Sequence, residues 1–203
     1  MAYNYPKGMM KQSATKKVTP KPIEYGKRGM NFEDMINESN QYYLTHNQAI
    51  IHKKPTPIQI VKVDYPKRSA AKITEAYFRH ASTTDYNGVC RGYYLDFEAK
   101  ETKNKTSFPL SNFHEHQIMH MHQCSMQGGL CFVLLWFSSL KRCFYLDFAT
   151  LHSFWQNKHQ KKSIPLAEIE QLGYECQLGI APKIDFLPPI YQLIDQKGAH
   201  HFD

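Results

Sequence analysis

From position 31 onward the chain alternates between stretches whose apolar residues recur at helical spacing and stretches where they recur at every second position. Asn31 stands where a helix N-cap would, Glu33 and Asp34 follow in the first turn, and Phe32, Met35, Ile36, Tyr43 and Leu44 make one apolar side. That pattern predicts an amphipathic helix. A short strand is expected over Ala49 to His52. Ile58 to Val63 then reads as a strand and Ser69 to Phe78 as a helix, in a basic stretch punctuated by Pro55, Pro57 and Pro66. Proline donates no amide to a sheet ladder, so residues 52–82 are predicted to leave the core as a stalk-like excursion.

Between Tyr93 and Thr102 the alternation is regular, with Tyr93, Leu95, Phe97 and Ala99 on one face and Tyr94, Asp96, Glu98 and Lys100 on the other. This is a strand signature. After Pro109, Ser111 is placed to cap a helix that runs to about Gln127 and stops at Gly128-Gly129. Cys131 to Phe137 and Arg142 to Phe148 read as two more strands, the first apolar throughout and therefore central. Short helices near Ala149 to Gln156 and Leu166 to Leu172 complete an α/β body, a sheet flanked by helices.

Composition adds limits. At 203 residues, 42% of them apolar, the chain fills one core. The net charge of +7 is concentrated rather than spread. Residues 1–28 carry seven basic groups against the single acid Glu24, and residues 52–82 carry seven against Asp64 and Glu75. Residues 1–27 show almost no apolar periodicity and are expected to be a flexible basic arm, leaving residues 28–203 as the folded domain. Two local concentrations of positive charge on a mildly acidic body suit a polyanionic partner, with nucleic acid ahead of a membrane surface. Five cysteines without a CxxC pair point to a reducing cytoplasm. Neither a secretory signal nor a membrane-spanning apolar run is expected from the sequence.

Candidate chemistry lies in Ser82-Thr83-Thr84-Asp85-Tyr86-Asn87-Gly88 and in Asp96-Phe97-Glu98-Ala99-Lys100. An aspartate, a short gap and Glu-x-Lys on an alternating strand match the nuclease pattern PD-(D/E)xK. Phosphodiester cleavage uses a hard divalent cation, which takes oxygen ligands. Asp85 and Glu98 can supply them from neighbouring strands. The two-residue period sets Glu98 and Lys100 on one face, about 7 Å apart along the strand, so the lysine can meet developing negative charge. Thr83, two residues before Asp85, is a weaker ligand candidate. Asp96 shares that face, either helping to hold a second ion or standing as a solvated strand charge.

In the helix that follows, Leu110, Phe113, Met121 and Cys124 form an apolar stripe with Gln117 in its middle. A buried amide needs a partner, which is either a water or phosphate at the ion or a backbone group. His114, His116, His120 and His122 invite a zinc reading, since His116 and His120 are i,i+4 neighbours. No Cys or carboxylate completes a recognisable set in the sequence, so surface and DNA-facing roles are expected for them.

Taken together, Arg28-Gly29-Met30, His52-Lys53-Lys54-Pro55-Thr56-Pro57, Tyr65-Pro66-Lys67-Arg68, the Ser82–Gly88 and Asp96–Lys103 segments, and Asn112-Phe113-His114-Glu115-His116-Gln117 resemble the RecU family of Holliday junction resolvases, members of the PD-(D/E)xK nuclease superfamily. The resemblance covers roughly Gly29 to Ile190. It implies a restriction-endonuclease-like core with a mixed central sheet and a protruding basic stalk. It further implies Mg2+, with Mn2+ as a possible substitute, held by Thr83, Asp85, Glu98 and Gln117, and catalysis by Asp85, Glu98 and Lys100. The implied partners are four-way DNA junctions, a second copy in a homodimer, and other recombination proteins, and the implied place is the nucleoid within the cytoplasm. Lys53, Lys54, Lys67 and Arg68 are the expected DNA contacts. The arm, the tail after Tyr191 and the histidine-rich stretch after Gln117 depart from the family pattern. Two other readings fit the same residues: a restriction-type duplex endonuclease and a non-catalytic DNA-binding accessory protein of recombination.

Overall fold

The apolar run from Leu130 to Phe137 becomes strand β7, and every one of its side chains is buried. β5 (Tyr93–Thr102) pairs parallel along one edge and β8 (Arg142–Asp147) antiparallel along the other. Its side chains alternate between two cores: Phe132, Leu134 and Trp136 enter one, while Cys131, Val133, Leu135 and Phe137 enter the other. A strand covered on both faces has no use for polar alternation, which is why the sequence reads apolar throughout. These relations come from a computed structural model that describes residues 31–66, 70–79 and 83–199, with side chains to residue 197. The expected arm over residues 1–27, and Lys67 and Arg68, lie outside the described residues.

Five helices and eleven strands are described: α1 (Phe32–Thr45), β1 (Ile50–Lys53), β2 (Ile58–Asp64), β3 (Lys72–Phe78), β4 (Tyr86–Cys90), β5, β6 (Ser107–Pro109), α2 (Glu115–Met126), β7, β8, α3 (Phe148–Gln156), β9 (Ser163–Pro165), α4 (Leu166–Leu172), β10 (Tyr174–Leu178), β11 (Ile184–Asp185) and α5 (Leu187–Ala199). The central sheet has the order β1-β4-β5-β7-β8-β10-β11. It is mixed, because β5 and β7 are parallel while its other pairs are antiparallel. One face packs on α1 and α5 through Phe32, Ile36, Tyr43, Ile190 and Ile194. The other packs on α2, α3 and α4 through Ile118, Met121, Leu151, Phe154 and Ile169. Each such fully buried side chain contributes about 1.5–3 kcal/mol. The expected α/β body with a mixed sheet between helices is what the chain adopts.

Local sequence explains the ends of these elements. Asn31 Oδ1 accepts from the Asp34 amide at 2.7 Å and caps α1, as its position suggested. The expected strand from Arg142 to Phe148 stops one residue early, since Asp147 turns to cap α3 by accepting from the Thr150 amide at 2.9 Å. The expected cap at Ser111 is displaced: Leu110–Asn112 form a single 3-10 turn, Phe113 is extended, and α2 starts at Glu115 after His114.

The basic excursion is a correction in part. Residues 72–78, expected inside a helix, form β3 and pair antiparallel with β2 in a two-stranded sheet of their own. Ile73, Thr74, Tyr77 and Phe78 are β-branched or aromatic, and pairing with β2 satisfies the backbone that a helix would otherwise satisfy internally. Nearly all of this ribbon's side chains are exposed.

Beyond Leu172 the chain forms β10, β11 and α5, none of them foreseen. Pro188 and Pro189 obscure the start of α5, yet the first turn of a helix has no use for their missing amides. Ser39 Oγ accepts from the Ile184 amide at 2.9 Å, and Tyr43 Oη donates to the Ile184 carbonyl at 2.9 Å and accepts from the Phe186 amide at 3.0 Å. These bonds tie α1 to the returning chain. All five cysteines are free thiols, and no helix among the described residues is long and apolar enough to cross a membrane.

Candidate active site

β4 and β5 pair so that Tyr86 lies opposite Phe97, which sets Asp85, one residue before β4, opposite Glu98. Gly88 makes this arrangement possible. A Cβ there would lie 2.2 Å from the Ile50 carbonyl oxygen and 2.8 Å from the Ile51 Cα, so only glycine lets β1 approach β4 so closely. The Asp85 amide donates to Glu98 Oε2 at 3.1 Å. Lys100 Nζ, on the same strand face, lies 2.9 Å from Glu98 Oε1. Asp85, Glu98 and Lys100 are therefore brought together.

Glu98 is wholly buried. Burial is the main cause that raises its pKa to about 8. The hydrogen bond and negative charge of Asp85 push the same way, and Lys100 opposes them. Its Oε1 meets the Lys100 ammonium at 2.9 Å and no other polar group among the described residues. Two neighbouring carboxylates, one of them buried and resisting ionisation, are what a hard divalent cation would relieve, and the all-oxygen donor set fits such an ion.

Thr83 is half-buried and lies beside Asp85 in the chain, its hydroxyl donating to the Thr84 carbonyl at 3.3 Å. Gln117 is buried, and its Oε1 accepts from the His114 amide at 3.0 Å. The backbone partner that the sequence left open is thus the one its oxygen uses.

Asp96 is not a solvated charge. It is wholly buried, with Oδ2 accepting from Lys54 Nζ and Tyr94 Oη, each at 2.8 Å, and facing His120 Nε2 at 3.2 Å. The Thr84 hydroxyl donates to Oδ1. Lys54 also donates to Thr84 Oγ1 at 2.8 Å, so its ammonium is committed on two sides. Cys124 Sγ lies 3.5 Å from His120 Nε2. Helical spacing sets His120 beside His116, whereas in the fold His120 also meets Asp96 and Cys124. The i,i+4 spacing of His120 and Cys124 was the available signal, and only the fold adds Asp96.

A cleft of about 480 Å³ is lined by Lys53, Lys54 and Arg79 and also by Thr83 and Asp85. Asp85 borders a second hollow of about 210 Å³ with Glu33 and Glu101. Glu98 lines neither, so Asp85 is the member of the pair that solvent reaches. Lys53 pairs with Glu33 at 2.5 Å, both side chains substantially exposed, and such a pair exchanges readily for another anion.

Residues 27–192 match the family described as RecU, Recombination protein U. The chain belongs to the RecU family. Similar RecU relatives span nearly its whole length. One from Lactiplantibacillus plantarum, named Holliday junction resolvase RecU, is 55% identical over 207 residues, covering 99% of this chain and 100% of that protein. One of the same name from a Geobacillus species is 55% identical over 191 residues, 92% of this chain and 95% of that protein. A third, from Streptococcus suis, is 56% identical over 185 residues, 91% of this chain and 90% of that protein. The family resemblance drawn from the motifs is borne out, and it reaches beyond the stretch from Gly29 to Ile190.

Proposed function

We propose that this chain is a structure-selective endonuclease that nicks symmetric strands of four-way DNA junctions in homologous recombination and repair, with magnesium as cofactor and manganese as a substitute. The observation that carries the reading is the buried Glu98 carboxylate held between the Asp85 amide and the Lys100 ammonium beside a basic cleft. Membership of a family whose relatives are named Holliday junction resolvases supports it.

Asp85 and Glu98 are the carboxylate ligands in this reading, and Thr83 and Gln117 complete the oxygen donors. The bound ion would polarise a phosphoryl oxygen and acidify the attacking water. Lys100 neutralises charge that builds on the phosphate. The crossover supports Gln117 in this reading: α2 links the parallel strands β5 and β7 and so returns antiparallel to β5. Asp96 meets His120, and two residues along the strand, about 6.6 Å, correspond to about four residues of helix. By that spacing Gln117, three residues before His120 on the helix, would stand near the level of Glu98. Turning its amide to the ion would cost the bond to the His114 amide.

Lys53, together with Lys67 and Arg68, contacts phosphates in this reading, while the engaged ammonium of Lys54 adds positive potential to the same cleft. The exposed β2–β3 ribbon serves as the stalk that enters the junction. A two-fold dimer presents two equivalent sites to the junction's paired strands, and contact with other recombination proteins at the nucleoid fits that task.

The test is a four-way junction labelled on each strand beside plain duplex of the same sequence, with magnesium present or chelated. Paired symmetric nicks in the junction alone, lost in Asp85→Ala, Glu98→Ala and Lys100→Ala while binding persists, is the expected result. Equal cutting of duplex would make the chain a restriction-type enzyme. Binding without cleavage in the unmodified protein would make it an accessory factor.

A further inference from the structure

We infer that Asp96, His120 and Cys124 form a site for a zinc-class divalent cation, separate from the hard-cation site at Asp85 and Glu98, and that this ion and the Lys54 ammonium compete for Asp96. The three donors come from two elements. Asp96 projects from β5, and His120 and Cys124 stand one turn apart on the same side of α2. One donor atom from each lies within 4.8 Å of the other two.

The spacing fits tetrahedral coordination. Zinc bonds of about 2.0 Å to nitrogen and oxygen and about 2.3 Å to sulfur place N and O about 3.3 Å apart and N and S about 3.5 Å apart. The observed separations are 3.2 Å for His120 Nε2 to Asp96 Oδ2 and 3.5 Å for Cys124 Sγ to His120 Nε2. An imidazole, a thiolate and one carboxylate oxygen form a borderline-soft set that favours zinc over magnesium. His120 and Cys124 are partly exposed, which gives an ion a way in, and a water can take the fourth position.

Lys54 is the reason the site needs no ion to be stable. Its ammonium neutralises Asp96 from 2.8 Å, and a dication beside the same oxygen would repel it. Lys54 is part of the lining of the 480 Å³ cleft, so it has space to swing away from Asp96. On ion entry the Cys124 thiol proton leaves to solvent, the neutral imidazole carries its proton on Nδ1, and nothing is oxidised or reduced. The ammonium freed from Asp96 then faces the cleft shared with Asp85.

The experiment is a cobalt(II) titration of the full chain carrying Asp85→Ala, which disables the hard-cation site, so its outcome is independent of the proposed nuclease activity. A thiolate-to-cobalt charge-transfer band saturating at one equivalent is expected. It should persist in excess magnesium and be bleached by zinc. Cys124→Ala and His120→Ala should weaken binding at least tenfold. Lys54→Met should tighten it by about tenfold, a direction that a folding defect does not produce. Absence of the band, its survival in Cys124→Ala, or its loss on adding magnesium would overturn the site. Unchanged affinity in Lys54→Met would overturn the competition.

Discussion

The Asp85 amide and the Lys100 ammonium hold opposite oxygens of Glu98, at 3.1 Å and 2.9 Å. The carboxylate is thereby oriented by the β4–β5 register and by its own strand, before any ion is considered. A site fixed in this way spends little free energy on reorganisation at the moment of reaction. It also carries a cost, because a carboxylate without solvent resists ionisation.

That cost has a sign that can be measured. Glu98 has its pKa raised from an ordinary carboxylate value to about 8 in the folded, ion-free protein. The folded state then binds a proton that the unfolded state has lost, so stability falls as pH rises from about 4.5 to about 8 and is level above. Glu98→Gln should remove this dependence and raise stability at pH 8 by on the order of a few kcal/mol, seen as a higher melting temperature. Thermal melts in chelator at pH 5 and pH 8 check it. A wild-type melting temperature that rises across this range, with the variant following in parallel, would show that Glu98 ionises freely.

Magnesium affinity should move with the same proton. An ion must displace it below pH 8, so binding should weaken by up to tenfold per unit as pH drops from 8 toward 6. Isothermal titration at several pH values, with proton release read from the buffer dependence of the heat, measures this. Glu98→Gln should bind weakly and without proton release.

Lys100→Met tests the third member. The expected outcome is a loss of about 10²–10³ in single-turnover junction cleavage, with junction binding largely kept, as for removal of one electrostatic stabiliser. Since Lys100 is what opposes the upward shift of Glu98, the variant should also need a higher pH to bind magnesium.

The strand carrying Glu98 and Lys100 was legible because β5 has one regular alternation, and the central β7 because eight apolar residues admit few other placements. Asp85 was legible through its distance from Glu-x-Lys. The network around Asp96 was only partly so: Tyr94 shares its strand face, but Lys54, Thr84 and His120 meet it from three other stretches of chain. Sequence spacing reports neighbours on one element and says nothing of partners across a sheet and a helix. β3 was misread because its apolar spacing suits either period, and pairing with β2 decided it. The three-residue turn before α2 moved the cap from Ser111 to His114 for a similar reason, since capping geometry depends on how Phe113 enters the core.

Gly88→Ala should destabilise the fold well beyond the usual glycine-to-alanine change. The new methyl would meet the Ile50 backbone oxygen at 2.2 Å, and backbone in a paired strand cannot give way as a side chain can. Overpacking of this kind costs about 1–3 kcal/mol or more. Urea unfolding measures it, and lost cleavage at a temperature where the variant remains folded would show that displacing β1 carries Lys53 and Lys54 away from the cleft.

Two buried tyrosines provide opposite expectations for one substitution. Tyr43 Oη donates to the Ile184 carbonyl and accepts from the Phe186 amide, joining α1 to the segment that leads into α5. Tyr43→Phe leaves both backbone groups without that partner and should cost about 1–3 kcal/mol. Tyr145 is equally buried, but its hydroxyl has no hydrogen-bond partner, so Tyr145→Phe removes a desolvated polar group and should be neutral or stabilising. Denaturant unfolding of the two variants side by side checks both, since the atoms removed are the same and only the partners differ. Equal losses would mean that the Tyr43 bonds to the returning chain contribute nothing to holding α1 on the sheet, and that shape alone keeps α1 and the segment leading into α5 together.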